Sequence, residues 1–239
     1  MVERSIKVSA ASVADGRLLV STSRRSLLPG AKRTFHAICD ALHAPDINSL
    51  LPYLSVASEI HFGFEPGDDP ICKAYLEFDA ETPVANVRFM AVKWRGGVAR
   101  TNLYFDRSSL PSEERDALKD EVIPHGPIRD VFEAVIRRAA SVAPLHDLPL
   151  LLVEEAASAR RSLDLNVADL DWHTDNIADL IAPVFPNQQL PAHLDNQRIG
   201  HVAAGAGRDA EPFFTLYYGA HAISPSRMHL LGDMTRDSV

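Results

Sequence analysis

Cysteine is nearly absent from this 239-residue chain, which has only Cys39 and Cys72. Two thiols cannot staple a chain of this length, so a disulfide scaffold is excluded and a reduced, cytoplasmic protein is expected. No apolar run approaches the ~20 residues of a membrane span, and the opening MVERSIKVSA lacks the apolar stretch of a secretory signal. Cationic residues are in deficit: 24 Lys and Arg against 32 Asp and Glu, a formal charge of −8. A general nucleic-acid binder needs a clustered basic face, so that class is set aside. No charge block, low-complexity tract or linker divides the chain, and one domain over 1–239 is expected. Apolar residues make up 46% of the sequence, enough to bury a core and too many for a disordered chain.

Hairpins recur along the chain. Residues 5–13 and 17–23 alternate around Asp15-Gly16, a strong turn signal. A second pair, 59–64 and 71–78, flanks Pro66-Gly67-Asp68-Asp69-Pro70, and a third, 87–93 and 98–105, flanks Arg95-Gly96-Gly97. A fourth spans 149–157 and 160–167, and a fifth 199–204 and 213–221 around a Gly-rich turn. Helical spacing appears over 31–43, with Phe35, Ile38, Cys39 and Leu42 on one face. The stretch 112–142 reads as two helices broken at Pro124-His125-Gly126-Pro127, and 171–184 as a third region with Thr174 or Asp175 as N-cap. Hairpins give antiparallel strands, so a doubly wound parallel sheet is excluded. Ten such strands close into an α+β barrel surrounded by helices, wide enough for a ligand chamber.

Alternation then assigns the walls. Lys73, Tyr75 and Glu77 share one face and Cys72, Ala74, Leu76 and Phe78 the other, which reads as the helix-facing side. Asn102 and Tyr104 share a face, as do Phe213, Thr215 and Tyr217. Glu3, Ser5 and Lys7 line the first strand, Arg17 follows its turn, and Arg161 stands with Leu163 and Leu165. Cations, phenols and a carboxylate on one wall suit a ligand with a polyanionic head, because unpaired buried charge is otherwise costly. Ten histidines raise a metal site, but three or four zinc ligands cannot be assembled from them, and none is expected.

The hairpin ending Thr-Asn-Leu-Tyr-Phe at 101–105 and the strand Cys-Lys-Ala-Tyr-Leu-Glu-Phe at 72–78 resemble the ABBA, or PT-barrel, aromatic prenyltransferases. So does the last strand, Phe-Phe-Thr-Leu-Tyr-Tyr at 213–218. The segment Val-Glu-Arg-Ser-Ile-Lys-Val at 2–8 is most similar to the cyanobactin branch, which prenylates ribosomal peptides. The resemblance implies an antiparallel ten-stranded PT barrel, shortened or open at one end because the N-terminal helical segment of relatives is missing here. It implies Glu3 as catalytic base and Arg17, Lys73 and Arg161 as diphosphate ligands. It also implies Tyr75, Tyr104 and Tyr217 as a shield around an allyl cation, with Asn102 a polar contact. Phe213 stands where some relatives have a further Lys.

The implied activity moves a dimethylallyl or geranyl group from its diphosphate to a Trp, Tyr, His or Arg side chain of a peptide. Mg²⁺ would accompany the diphosphate, although no Asp-x-x-x-Asp cluster is visible. Two alternatives stay open: a non-catalytic module of the same fold that binds a peptide or small hydrophobe, and an enzyme on an unrelated α+β scaffold. A second copy completing a short barrel as a homo-oligomer is a further expectation.

Overall fold

The computed structural model describes residues 1–79 and 86–222; the rest of the domain expected over 1–239 lies outside the described residues. Ten strands follow the hairpin plan: β1 (Val2–Ser9), β2 (Val13–Ser23), β3 (Glu59–Glu65), β4 (Ile71–Glu77), β5 (Val87–Arg95), β6 (Val98–Asp106), β7 (Leu150–Glu155), β8 (Arg161–Asn166), β9 (Ile199–Ala206) and β10 (Pro212–His221). Each strand pairs antiparallel with its sequence neighbour, and β1 pairs with β10 from Val2–His221 to Ser9–Phe213. The ring is therefore closed within one chain. Among the described residues no strand edge is left unpaired, so the sheet closes without a strand from a second copy.

The helical layer lies outside. Helix α1 (Ala31–Ala41) buries Phe35 and Cys39, and together with Leu50 and Leu54 of the following turns it covers Ile60, Ala74, Leu76, Val92 and Trp94 of β3–β5. Helices α2 (Ser112–Val122) and α3 (Pro127–Ala140) flank the expected break. Phe132, Val131 and Val135 of α3 pack on Leu150 and Leu152, Leu163 and Leu165, Val202 and Ala204, and Phe214 and Leu216. The region 171–184 differs from the single helix expected. It forms short turns over Thr174–Asn176, Ala178–Ile181 and Ala182–Val184, with His173 as cap. Thr174 is instead buried, its hydroxyl donating to the Leu194 carbonyl, so a tertiary contact overrides its capping propensity.

The first turn also moves. Chain reversal occurs at 10–12, closed by Ser9 N–H donating to Ser12 O at 2.9 Å. Asp15-Gly16 lies inside β2 as a β-bulge: pairing runs Lys7–Ala14 on one side of it and Ser5–Arg17 on the other. Gly16 takes φ +68, the left-handed conformation such a bulge requires. The extra residue changes the phase of the strand. Ala14 faces inward opposite Lys7, so strict alternation would send Arg17 outward; the bulge returns it to the lumen.

Candidate active site

Apolar side chains occupy the outer wall of the barrel, and the inner wall carries ions and phenols. At the end nearest the hairpin turns, Glu65 accepts from Arg17 Nη2 at 3.0 Å and forms an ion pair with Lys73 Nζ. Lys93 sits directly across from Lys73 on one side and Arg100 on the other. Lys7 Nζ lies 4.2 Å from the centroid of Phe213, and the Arg160 guanidinium lies 5.6 Å from the same ring. Glu155, fully buried, is gripped by Arg208 of the β9–β10 turn through two bonds of 2.5 Å.

Five basic groups around one carboxylate perturb one another strongly. Burial, then the charges of Arg160 and Arg17, lower Lys7 to about 8. Burial takes Lys73 to about 8, with Glu65 opposing the fall. Lys93, disfavoured by burial and by Lys73 and Arg160, drops to about 6. Burial would protonate Glu65, but Lys73, Arg17 and Lys93 outweigh it and hold the carboxyl far below its usual range. Arg17 is buried, and its Nε and Nη1 have no hydrogen-bond partner among the described residues. Two unsatisfied, charged donors in an enclosed space are costly unless an anion reaches them.

Further along the lumen lies an aromatic belt. Tyr75 and Tyr104 have ring centroids 6.0 Å apart, Phe89 packs edge-on to Tyr104 at 5.7 Å, and His61 stands edge-on to Tyr75 at 6.2 Å. Lys73, Tyr75, Tyr104 and Tyr217 stay half-buried although strands enclose them on every side, so the lumen holds open space. Burial pushes the Tyr75 and Tyr217 hydroxyls upward, which keeps both rings neutral.

Beyond the phenols the character changes to carboxylate and imidazole. Glu3 is buried, with its Oε2 3.3 Å from His201 Nε2, while His201 Nδ1 is 2.7 Å from Asp164 Oδ1. The His201 ring stacks on Tyr217 at 3.8 Å and 9°. Burial opposes its charge, but Asp164 and Glu3 outweigh burial and raise its pKa to about 10. Glu3 and Gly200 both stand at register shifts in their strands. A Cβ at Gly200 would sit 2.6 Å from Glu3 Oε1, so the glycine makes room for the carboxylate. Alongside, His61 bonds Ser21 Oγ at 2.7 Å and Glu77 at 3.1 Å, and Arg88 holds the other oxygen of Glu77.

Seven of the eight residues singled out in the sequence meet on this wall: Glu3, Arg17, Lys73, Tyr75, Asn102, Tyr104 and Tyr217. Asn102 is buried with its Oδ1 unpartnered among the described residues. Arg161 does not join them. It lies on the outer wall, paired with Glu121 of α2 and with Glu154 at 3.1 Å. Leu163 and Leu165, the neighbours it was grouped with, are buried in the outer core, and Ser162 and Asp164 point inward. The inward arginine is therefore Arg160, one residue earlier. Apolar Leu163 and Leu165 were themselves the signal, since a cationic lumen and an apolar shell exclude them from the inner wall. Lys93, Glu65, His201 and Asp164 were passed over, and Lys7 was given no role although it alternates in phase with Glu3 on β1; no residue had been chosen on β3, β5 or β9 to set the phase of the first three.

A resident Mg²⁺ finds no donor set here. Among the described residues no three His, Cys, Asp or Glu gather to hold an ion, and Glu65 is already engaged by Arg17 and Lys73.

The sequence matches no known family profile and no curated protein. Solved structures do match the fold. A 5-dimethylallyltryptophan synthase from Streptomyces coelicolor superposes with a TM-score of 0.61 at 15% identity, covering 91% of this chain and 80% of its own. PriB in a binary complex with product diphosphate gives 0.61 at 16%, covering 91% and 79%. A 6-dimethylallyltryptophan synthase from Micromonospora olivasterospora, in complex with DMASPP and Trp, gives 0.58 at 17%, covering 91% and 81%. The architecture is the PT barrel of the ABBA-type aromatic prenyltransferases. No helix among the described residues is long and apolar enough to cross a membrane.

Proposed function

We propose that this chain is a prenyltransferase that moves a dimethylallyl or geranyl group from its diphosphate to a Trp, Tyr, His or Arg side chain of a ribosomal peptide. The observation that carries the reading is the unpartnered pair of Arg17 donors beside Lys73, Lys93, Lys7 and Arg160, next to a belt of neutral phenols. The diphosphate complex of PriB and the DMASPP and Trp complex of the Micromonospora enzyme support a donor and acceptor meeting in such a barrel.

The chemistry follows the layers. As the allylic C–O bond breaks, negative charge grows on the leaving diphosphate, and fixed cations stabilise that charge most where water is excluded. Tyr75, Tyr104 and Tyr217 present ring faces to the allyl cation and contain no deprotonated oxygen to trap it. The acceptor atom then forms the new C–C or C–N bond and loses a proton to Glu3. His201, a cation between Asp164 and Glu3, positions the Glu3 carboxylate for that proton through its Nε2 contact with Glu3 Oε2. Mg²⁺ would enter this scheme as a companion of the donor's phosphates, since no ligand set for it gathers among the described residues.

The test is incubation with a peptide pool and dimethylallyl or geranyl diphosphate, read by mass spectrometry. Addition of the prenyl mass is the expected result. Binding of the diphosphate with no transfer to any peptide or to free tryptophan would instead favour a non-catalytic binding module.

A further inference from the structure

Among the described residues, Lys93 alone of the lumenal cations has neither a carboxylate at ion-pair distance nor a ring beneath it. Arg17 and Lys73 share Glu65, Arg100 approaches Glu155, and Lys7 and Arg160 lie over Phe213. Lys93 stands in a row of three cations, opposite Lys73 on β4 and Arg100 on β6, where like charges destabilise each other. Arg160, Lys7 and the Glu65 carboxylate complete the charges acting on it. An enclosed space with this surplus cannot keep every amine charged, and the group without a counter-ion is the one to release its proton.

We propose that Lys93 is the proton-coupled member of the donor site: neutral in the empty lumen, it takes a proton from solvent as the diphosphate enters and gives it back when the diphosphate leaves. The proposal rests on the donor reading above. It has a chemical consequence for the reaction. A neutral amine is a nucleophile and would be alkylated by the allyl cation, whereas the ammonium has no lone pair to offer. Coupling protonation to donor binding therefore arms the site electrostatically and protects it in the same step. The depressed pKa of Lys93 in the empty barrel agrees with this geometry.

The experiment is an NMR titration of protein labelled with ¹³C,¹⁵N-lysine, with the Lys93 signal assigned by its loss in Lys93→Arg. In the empty protein Lys93 is expected to titrate below the other lysines, and saturating inorganic diphosphate is expected to raise its midpoint by roughly two pH units or more. In parallel, the affinity advantage of the wild type over Lys93→Met for inorganic diphosphate is expected to shrink by up to about tenfold per pH unit between the free and bound midpoints, roughly pH 6 to pH 8, and to level off above them. A Lys93 signal that titrates above about pH 9 in the empty barrel overturns this proposal and leaves the donor reading intact. If inorganic diphosphate moves no lysine signal at all, the donor reading itself falls.

Discussion

The two faces of the same ten strands carry opposite assignments. The outer face, Leu76, Leu163, Val202 and Leu216 among others, packs mainly against helices and turns and holds hydrocarbon. The inner face holds Lys73, Arg17, Glu65, Glu3, His201 and three phenols around open space. In most small barrels the core is inside; here the stabilising burial has moved outward, which frees the lumen for groups that would otherwise be too costly to enclose. Stability and chemistry are thereby placed one residue apart along each strand, and substitutions on adjacent residues should separate them.

The largest separation is expected at Lys73. Lys73→Ala removes a fixed cation from the departing diphosphate, and turnover should fall about 10²–10³-fold with little change in melting temperature, because Glu65 keeps Arg17. A matching loss of stability would show that the lumen, too, holds the fold together. On the other face, Phe132→Ala empties a fully buried site under the helices and should cost about 3–5 kcal/mol in urea unfolding, while the activity per folded molecule is retained.

A pH experiment sharpens the inner face. The folded pKa of His201, about 10, lies above its ordinary 6.5, so its stabilising contribution is complete below pH 6.5 and is lost as the pH rises through 10. The stability gap between wild type and Asp164→Asn should shrink across that window. A gap that widens with pH would mean that His201 is not held as a cation between two carboxylates.

Smaller effects are expected at two points where the phase of a strand is set. Gly16→Ala strains a φ of +68 and brings a Cβ to 3.3 Å from Pro66, which should cost about 1 kcal/mol and weaken donor binding by disturbing Arg17. Arg161→Ala removes surface pairs worth at most ~1 kcal/mol and should leave transfer unchanged, while Arg160→Ala should raise the donor KM. If Arg161→Ala abolishes transfer and Arg160→Ala does not, the division of β8 between its two faces is wrong.

Much of this was legible before any coordinates. The hairpin pattern and the alternation on β4, β6 and β10 identified the inner residues Lys73, Tyr75, Asn102, Tyr104 and Tyr217, because a period of two assigns faces without reference to neighbours. It failed where the period is broken. Asp15-Gly16 has the composition of a turn, and nothing local distinguishes a two-residue turn from a bulge with the same left-handed glycine. Arg160 and Arg161 are chemically alike, and the choice between them depends on where the strand enters the sheet.

Alternating polarity, turn residues and the two interrupted helices made an antiparallel barrel with an apolar shell the outcome the chain itself dictates, since each strand must bury one face and solvate the other. The placing of Glu3 beside His201 was decided only by closure of the ring, which brings the first and last strands together. The convergence of Arg17, Lys73 and Glu65 and the isolation of Lys93 were decided by the register in which neighbouring strands pair, about which local propensity carries no information.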